Sequence, residues 1–372
     1  MSAARDLTGP VGVGLIGAGT ISDTYLENLT AFPDVSVVFV ADLDVERARA
    51  QAQKHGVPRS GTVDELLADD EVEIVVNLTI PAAHVDVARQ AVEAGKHVWS
   101  EKPFSLDRDS GRELLAEAAE KGVRVTAAPD TFLGAGLQTA RRAIADGVIG
   151  EPVSALALFQ TQGPERWHPN PEFYFSRGGG PLFDMGPYYL TALVQILGPV
   201  SRVSAVSSTA RSERVVGSGP KAGTAFPVTT PTHIAGSLEF ERGGTAQVVF
   251  SFDSALIREG VVEINGTEGT AVLPDPNHFG GDTTVWPFGA DESVTVASMG
   301  ADSSRGTGVL ELARAIRGGV PDRVPGDLAF HIVDVMVSLA ESGESGAPVT
   351  VTSTVVPSEP LPADWDPHAA TV

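Results

Sequence analysis

Two short patterns in this 372-residue chain carry residue types that could do chemistry. The first follows Val11–Ile16, an apolar run that reads as a strand and leads straight into Gly17-Ala18-Gly19. Two glycines one residue apart, after a strand and before a helix opening at Ile21, make a tight turn of bare backbone. Helix N–H groups then face whatever sits on it, which suits a pyrophosphate. Thr20 and Ile21 join Gly17 and Gly19 as expected contacts, and Ser22 stands where such turns often carry a third glycine. The overlapping pattern Gly12-x-Gly14-x-x-Gly17 matches by letters alone. It would need a strand in Asp6–Val11, and that stretch holds Gly9 and Pro10 and reads as a turn. The next apolar run ends in Asp42, 23 residues after Gly19. A carboxylate there would accept both adenine-ribose hydroxyls and repel a 2′-phosphate, so the expected cofactor is NAD rather than NADP. Asp44, just before Val45-Glu46-Arg47, reads as the cap of the following helix.

The second pattern is Glu101-Lys102-Pro103, at the end of the strand His97–Ser100. Ligands of open parallel sheets bind beyond the carboxyl ends of the strands, so Lys102 is expected to face the nicotinamide. Pro103 biases it toward an extended backbone. Repelled by a cationic ring and partly desolvated, the ammonium would have a lowered pKa. It could then hydrogen-bond a substrate hydroxyl and stabilise the developing alkoxide. The bland alternative is a surface lysine paired with Glu101. On the same edge, Thr79 and Pro81 are assigned to the cofactor along with Glu101. His84, at the head of the next helix, either lines the nicotinamide pocket or is a helix-start residue on its rim.

The elements that would position these residues are legible as a change of texture. Strand-like runs at Val11–Ile16, Val35–Asp42, Ile74–Leu78, His97–Ser100 and Val123–Ala127 alternate with helical spacing, and Gly56, Gly95 and Gly122 close three of the helices. That alternation predicts an α/β fold, a doubly wound parallel sheet. Beyond Pro129, after a helix at Leu137–Asp146, long strands dominate: Val153–Gln160, Val200–Ser208, Thr232–Phe240, Thr245–Asp253 and Val261–Asn265. Turns such as Gly243-Gly244 signal antiparallel pairing, and Arg211–Thr224 reads as a solvent-exposed excursion. Helices at Val309–Arg317 and Leu328–Leu339 follow. The expected division is a dinucleotide-binding domain over 1–128, an α+β substrate-binding and oligomerisation domain over 129–356, and a Pro-rich tail over 357–372.

Composition narrows the partners. With 26 Lys and Arg against 48 Asp and Glu the formal net charge is −22, which argues against nucleic acid or an anionic membrane as partner. The chain has no cysteine, so thiol catalysis and a thiolate metal site are excluded. No His, Asp or Glu cluster has metal-ligand spacing, and no metal is expected. Met1–Asp6 lacks the apolar core of a signal peptide, and no apolar run approaches a bilayer span. The expected location is the cytoplasm.

Taken in order, Gly17-Ala18-Gly19, Asp42, Pro81-Ala82-Ala83-His84, Glu101-Lys102-Pro103 and the run Gly178 to Gly186 (GGGPLFDMG) resemble the signatures of the Gfo/Idh/MocA oxidoreductases. That family includes glucose–fructose oxidoreductase and inositol dehydrogenase. The resemblance spans Val11 to about Val351. It implies an N-terminal Rossmann domain followed by an open, mostly antiparallel sheet, and a homo-oligomer, either a dimer or a tetramer. It also implies hydride transfer between nicotinamide and a hydroxyl-bearing carbon of a sugar, glycoside or cyclitol. Lys102 matches the family's active-site lysine and Asp184 its substrate-facing carboxylate. Many members carry a histidine four residues beyond that aspartate, and here the position is Tyr188. Two residues could replace it. Tyr188 itself could move the proton, its phenol pKa lowered by Lys102. Alternatively His168, on a loop stiffened by Trp167, Pro169 and Pro171, could reach the pocket. Tyr188 with Lys102 is the preferred pair. Pro187 suits a first helical turn, so Asp184 or Gly186 could simply help start a helix, with Tyr188 and Tyr189 in its core. Two rival functions share the fold: a non-catalytic NAD-binding regulator, against which the retained Lys102 counts, and an NAD-dependent glycosidase.

Overall fold

Residues 9–372 are described by the computed structural model; Met1–Asp6 and the start of the turn at Asp6 lie outside them. Residues 9–127 build β1 (Val11–Ile16), α1 (Ser22–Leu29), β2 (Val35–Ala41), α2 (Val45–His55), β3 (Arg59–Gly61), α3 (Val63–Ala68), β4 (Ile74–Asn77), α4 (His84–Glu93), β5 (His97–Ser100), α5 (Arg108–Lys121) and β6 (Val125–Ala127). The strands form one parallel sheet in the order β3-β2-β1-β4-β5-β6. All residues of β1 and β4 are buried, as a central strand covered by helices on both faces requires. The edge strand β3 is too short to leave a hydrophobic run in the sequence. Asp44 caps α2 by accepting the Arg47 N–H at 3.2 Å, and the glycines expected to stop helices, Gly56, Gly95 and Gly122, all have positive φ.

The chain continues through α6 (Ala135–Ala145), β7 (Pro152–Gln160), α7 (Gly180–Leu197), β8 (Val200–Ser208), β9 (Glu213–Val215), β10 (Ala225–Pro227), β11 (His233–Phe240), β12 (Thr245–Ser251), β13 (Arg258–Gly266), β14 (Gly269–Val272), β15 (Thr283–Pro287), β16 (Val294–Val296), α8 (Thr307–Gly318), α9 (Gly326–Ser345) and β17 (Val349–Thr350). Nine of these strands make a second sheet, ordered β16-β15-β14-β13-β7-β12-β11-β8-β17. Its pairs are antiparallel except β7 with β12, and the Gly243-Gly244 turn joins β11 to β12 as a hairpin. Helix α7 packs its apolar length (Tyr189, Leu190, Leu193, Leu197) on the inner face of this sheet, and Tyr189 Oη accepts the Gly260 N–H at 2.7 Å. The stretch Arg211–Thr224 is mostly solvent-exposed, as expected, but it is anchored rather than loose. It contributes β9 to a two-stranded ribbon with β10, and Arg214 is 4% exposed, paired with Glu165 at 2.6 Å and with Asp253. A guanidinium between two carboxylates pins the ribbon down.

The last third returns to the first sheet. From α8, Arg314 meets Asp34 at 2.7 Å and Arg317 meets Glu73 at 2.6 Å; from α9, Asp334 takes Arg108 at 2.5 Å. The terminal segment crosses both halves: Leu361 N–H donates to Gln138 at 2.8 Å and Thr371 N–H to Asp34 at 2.8 Å. His331 packs inside α9 as a core histidine, accepting the Val200 N–H at 3.0 Å, and burial lowers its pKa to about 4. Among the described residues no helix is long and apolar enough to cross a membrane, and no group of His, Asp or Glu could hold a metal ion.

Candidate active site

The strand order reverses between β1 and β4, and the glycine turn sits at that switch point. Gly17 has φ +104, and a Cβ there would lie 2.7 Å from the Leu78 carbonyl oxygen, so only glycine fits the approach of the two strand ends. A Cβ on Gly19 would meet nothing within 4 Å, leaving open space over exposed Gly19, Thr20 and Ile21 at the start of α1. Ser22 is fully buried, its hydroxyl bonded to Gly19 O at 2.6 Å and receiving Gln51 at 2.9 Å. Asp42 is bound into the same turn. Its carboxylate accepts Ala18 N–H at 2.7 Å, Asp44 N–H at 2.9 Å and Arg47 Nη2 at 2.5 Å. Burial opposes its charge, but Arg47 and the two backbone donors prevail and hold its pKa below the usual range. An ionised acceptor beside a bare, open turn fits the adenosine half of a dinucleotide.

Thr79 and Pro81 border the opening on the β4 side, and Thr79 is locked by its hydroxyl to Asn77 at 2.7 Å. His84 is only 1% exposed, so it neither lines the opening nor sits on its rim. Its Nδ1 faces Pro103 O at 2.8 Å and its Nε2 faces Thr79 O at 3.0 Å, tying the end of β4 to the segment after Lys102. Glu101 is a bracket too: it accepts Tyr25 Oη at 2.7 Å and the Lys102 N–H at 3.1 Å.

The Lys102 side chain leaves Glu101 and crosses to α7. Its Nζ lies 2.7 Å from Asp184 Oδ1 and 2.6 Å from the Asp184 carbonyl oxygen, each side chain 17% exposed. The ammonium also stands over the Tyr188 ring, 5.3 Å from its centroid. Pro187 lies well inside α7 rather than in its first turn, where it has no N–H to give the Phe183 carbonyl. The Asp184 carbonyl, one residue on, accepts the lysine. Asp184 and Tyr188, four residues apart, share the face that meets Lys102.

Electrostatics reverse two expectations. Burial disfavours the Lys102 ammonium, yet Asp184, Tyr188 and Glu101 outweigh it and hold its pKa above the ordinary lysine range, not below. Tyr188 is 6% exposed. Burial raises its pKa above that of a free phenol, although Lys102 and Arg305 pull the other way. It is therefore a neutral phenol at physiological pH.

A cavity of about 420 Å³ opens beside Asp184, walled by Gln162, Trp167, Phe252, Glu259, Asp275 and Asn277 among others. Trp167 is 64% exposed and offers a flat face there. His168 is not in that wall. Its ring packs edge-on against Trp167, Phe173 and Tyr174, and its Nδ1 accepts the Asn170 N–H at 3.1 Å. Two groups near the site escaped the sequence reading. Tyr174 feels both Asp184 and Lys102, its pKa pushed up to about 12 by burial and the Asp184 charge. Arg305 donates to Tyr188 Oη at 3.2 Å and to Asn277 Oδ1 at 2.9 Å. Tyr174 lies in a short turn and Arg305 in the loop before α8, with no pattern around either to mark it.

Comparison with known proteins agrees with this geometry. Residues 11–128 match the model of an oxidoreductase family with an NAD-binding Rossmann fold, and residues 137–272 match the GFO/IDH/MocA C-terminal domain. The chain is 29% identical over 266 residues to 1,5-anhydro-D-fructose reductase of Ensifer adhaerens, covering 70% of this chain and 74% of that protein. It is 27% identical over 266 residues to trans-1,2-dihydrobenzene-1,2-diol dehydrogenase of Bos taurus, covering 71% and 74%. A levoglucosan dehydrogenase solved with NADH and L-sorbose shares the fold, with a TM-score of 0.81 at 20% identity over 92% of this chain and 99% of that one. With both halves matched in order around one lysine–carboxylate site, the chain belongs to the GFO/IDH/MocA family and is an NAD-binding oxidoreductase.

Proposed function

We propose that the protein interconverts a hydroxyl and a carbonyl on a small carbohydrate or polyol, with Lys102, Asp184 and Tyr188 as the catalytic residues. The observation that carries this reading is the contact of Lys102 with Asp184 and the Tyr188 ring, at the carboxyl end of β5 and beside an open cavity. Bound NAD supplies the two-electron chemistry by accepting or giving a hydride. Gly17, Gly19, Thr20, Ile21, Asp42, Thr79 and Pro81 hold it, and His84 and Glu101 fix the backbone on which it rests. The unit 1–128 thus presents the cofactor, the sheet of 129–356 presents the substrate, and the tail 357–372 fastens the two. Lys102 donates to the reacting oxygen and stabilises negative charge there. Asp184 keeps that ammonium charged and aimed. Tyr188, a neutral phenol, gives its proton to the reacting oxygen in reduction and takes it back in oxidation. Trp167 suits the apolar face of a sugar ring, and Gln162, Glu259, Asp275 and Asn277 suit its hydroxyls. The two relatives at 27–29% identity carry names of enzymes acting on an anhydrofructose and a cyclic diol, in keeping with this substrate class.

The test is a panel of free sugars, anhydrosugars, glycosides and cyclic diols with NAD or NADH, followed by absorbance of the reduced cofactor. At least one should turn over, with Tyr188→Phe losing far more activity than His168→Ala; the reverse ranking moves the proton to His168. Sugar release with no change in cofactor would favour a glycosidase, and NAD binding with no turnover a regulator.

A homo-oligomer is part of the same proposal. Across the outer face of the second sheet, Val206, Ala235, Val249, Leu158 and Val261 lie in register on five adjacent strands, and Val206 is 66% exposed. Such a row asks for cover. Sedimentation giving only a monomer would remove this inference. The proposed place of action is the cytoplasm.

A further inference from the structure

We propose that Arg305 is the positioning residue of the proton transfer: it grips the Tyr188 phenol by its oxygen, turns the O–H away from itself, and remains beside that oxygen when the proton has left. The inference rests on Tyr188 as the proton-carrying group.

The geometry is built from both halves of the chain. Arg305 Nη2 donates to Tyr188 Oη at 3.2 Å, and the guanidinium lies 5.3 Å from the centre of the same ring. A guanidinium has donors only. It therefore occupies a lone pair of the phenol oxygen, and the phenol's own O–H must point elsewhere. Arg305 is itself tethered on three sides. Asn277, in the wall of the cavity, accepts from Nη2 at 2.9 Å. Asn28 of α1 donates to the Arg305 carbonyl at 2.8 Å. Asp130, after β6, lies 3.6 Å from Nη1 and receives the Gly306 and Gly308 N–H groups on its other oxygen. Nη1 and Asp130 Oδ1 are buried with no hydrogen-bond partner among the described residues, so their attraction is purely electrostatic. The side chain is 16% exposed and cannot lose its charge.

The proton accounting is simple. In reduction the phenol O–H bond breaks, a new O–H bond forms on the substrate oxygen, and the electron pair stays on Tyr188 Oη next to Arg305. Oxidation reverses both bonds, the substrate O–H breaking as Tyr188 regains its proton. The charged and titratable groups facing Tyr188 are Glu101 and Lys102 after β5, Tyr174 in its short turn, Asp184 on α7, and Arg305 before α8. Glu101 and Asp184 oppose a phenolate. Lys102 is held by Asp184, which leaves Arg305 as the cation that bonds the phenol oxygen directly.

The test replaces all four tyrosines with 3-fluorotyrosine and follows their ionisation by fluorine NMR, the Tyr188 signal assigned from Tyr188→Phe. In Arg305→Gln the Tyr188 midpoint should rise by about one pH unit or more, a tenfold change in proton affinity, while the signal of Tyr189, which Arg305 does not face, holds still. Arg305→Lys should restore most of the shift. If Arg305→Gln fails to fold, Asn277→Ala keeps the charge but removes its tether, and Tyr188 should again titrate higher. A Tyr188 midpoint unmoved in these variants overturns the proposal. The NMR readout needs no substrate, so its failure is distinct from failure of the catalytic reading, which would show as Tyr188→Phe turning over like the parent. On any substrate from the panel, Arg305→Gln should lower kcat at least tenfold with KM changed less than threefold.

Discussion

Asp184→Asn isolates what keeps the active-site lysine charged. Lys102 Nζ sits 2.7 Å from the Asp184 carboxylate, and both side chains are mostly buried. Burial alone would push the lysine down, and Asp184 leads the charges that reverse it. At an effective dielectric of about 20, opposite charges about 4 Å apart attract by about 4 kcal/mol. That is about 3 pH units of ammonium stabilisation, which residual solvent access trims to about 2. The asparagine keeps the shape and a hydrogen-bond acceptor while deleting the charge. Competitive acetylation across pH, read by peptide mass spectrometry, reports each lysine separately, with exposed Lys54 and Lys221 as references. The reactivity midpoint of Lys102 should drop by about 2 pH units in the variant, with Lys54 and Lys221 unchanged. A shift under half a unit would show that the carboxylate does not control the ammonium, and the electrostatic reasoning for the site would fail.

Three further outcomes follow from the same geometry. Asp42→Asn keeps an acceptor for the Ala18 N–H but removes the charge beside the ribose position; NAD affinity by calorimetry should fall about 3–10-fold, about 1 kcal/mol, and discrimination against NADP should narrow. Because burial keeps the Tyr188 phenol protonated, kcat for carbonyl reduction should be level through neutral pH, while kcat for alcohol oxidation should climb into the alkaline range. In Tyr188→Phe that alkaline climb should vanish from the pH profile.

How much of this could be read from the chain depends on whether a feature is local. The parallel sheet was legible because buried strands leave β-branched runs and glycine ends the intervening helices. The glycine turn and Asp42 were legible because each lies at a strand end. The Lys102–Asp184 pairing was within reach only through the family resemblance, since 82 residues separate the two. Pro187 misled, because a proline deep in a helix reads as a helix start; α7 begins at Gly180, seven residues earlier. The expected pKa directions for Lys102 and Tyr188 failed for one reason. Sequence names the charged neighbours but not which is closest or how dry the site is, and here a carboxylate wins at the lysine and burial wins at the phenol. Arg305 was invisible. It sits in an unpatterned loop, 117 residues beyond Tyr188 in the chain, and only the return of α8 to the first sheet brings it there.

The central claim is that the ammonium at the end of β5 performs chemistry on a substrate while the glycine turn separately holds the dinucleotide. The most direct measurement compares the parent and Lys102→Met for NAD binding by calorimetry and for turnover of the best substrate in the panel. The account predicts NAD affinity within about threefold of the parent and kcat lowered by about 10³, on the order of 4 kcal/mol. Turnover that survives the substitution, or a loss of activity explained wholly by lost NAD binding, would contradict it.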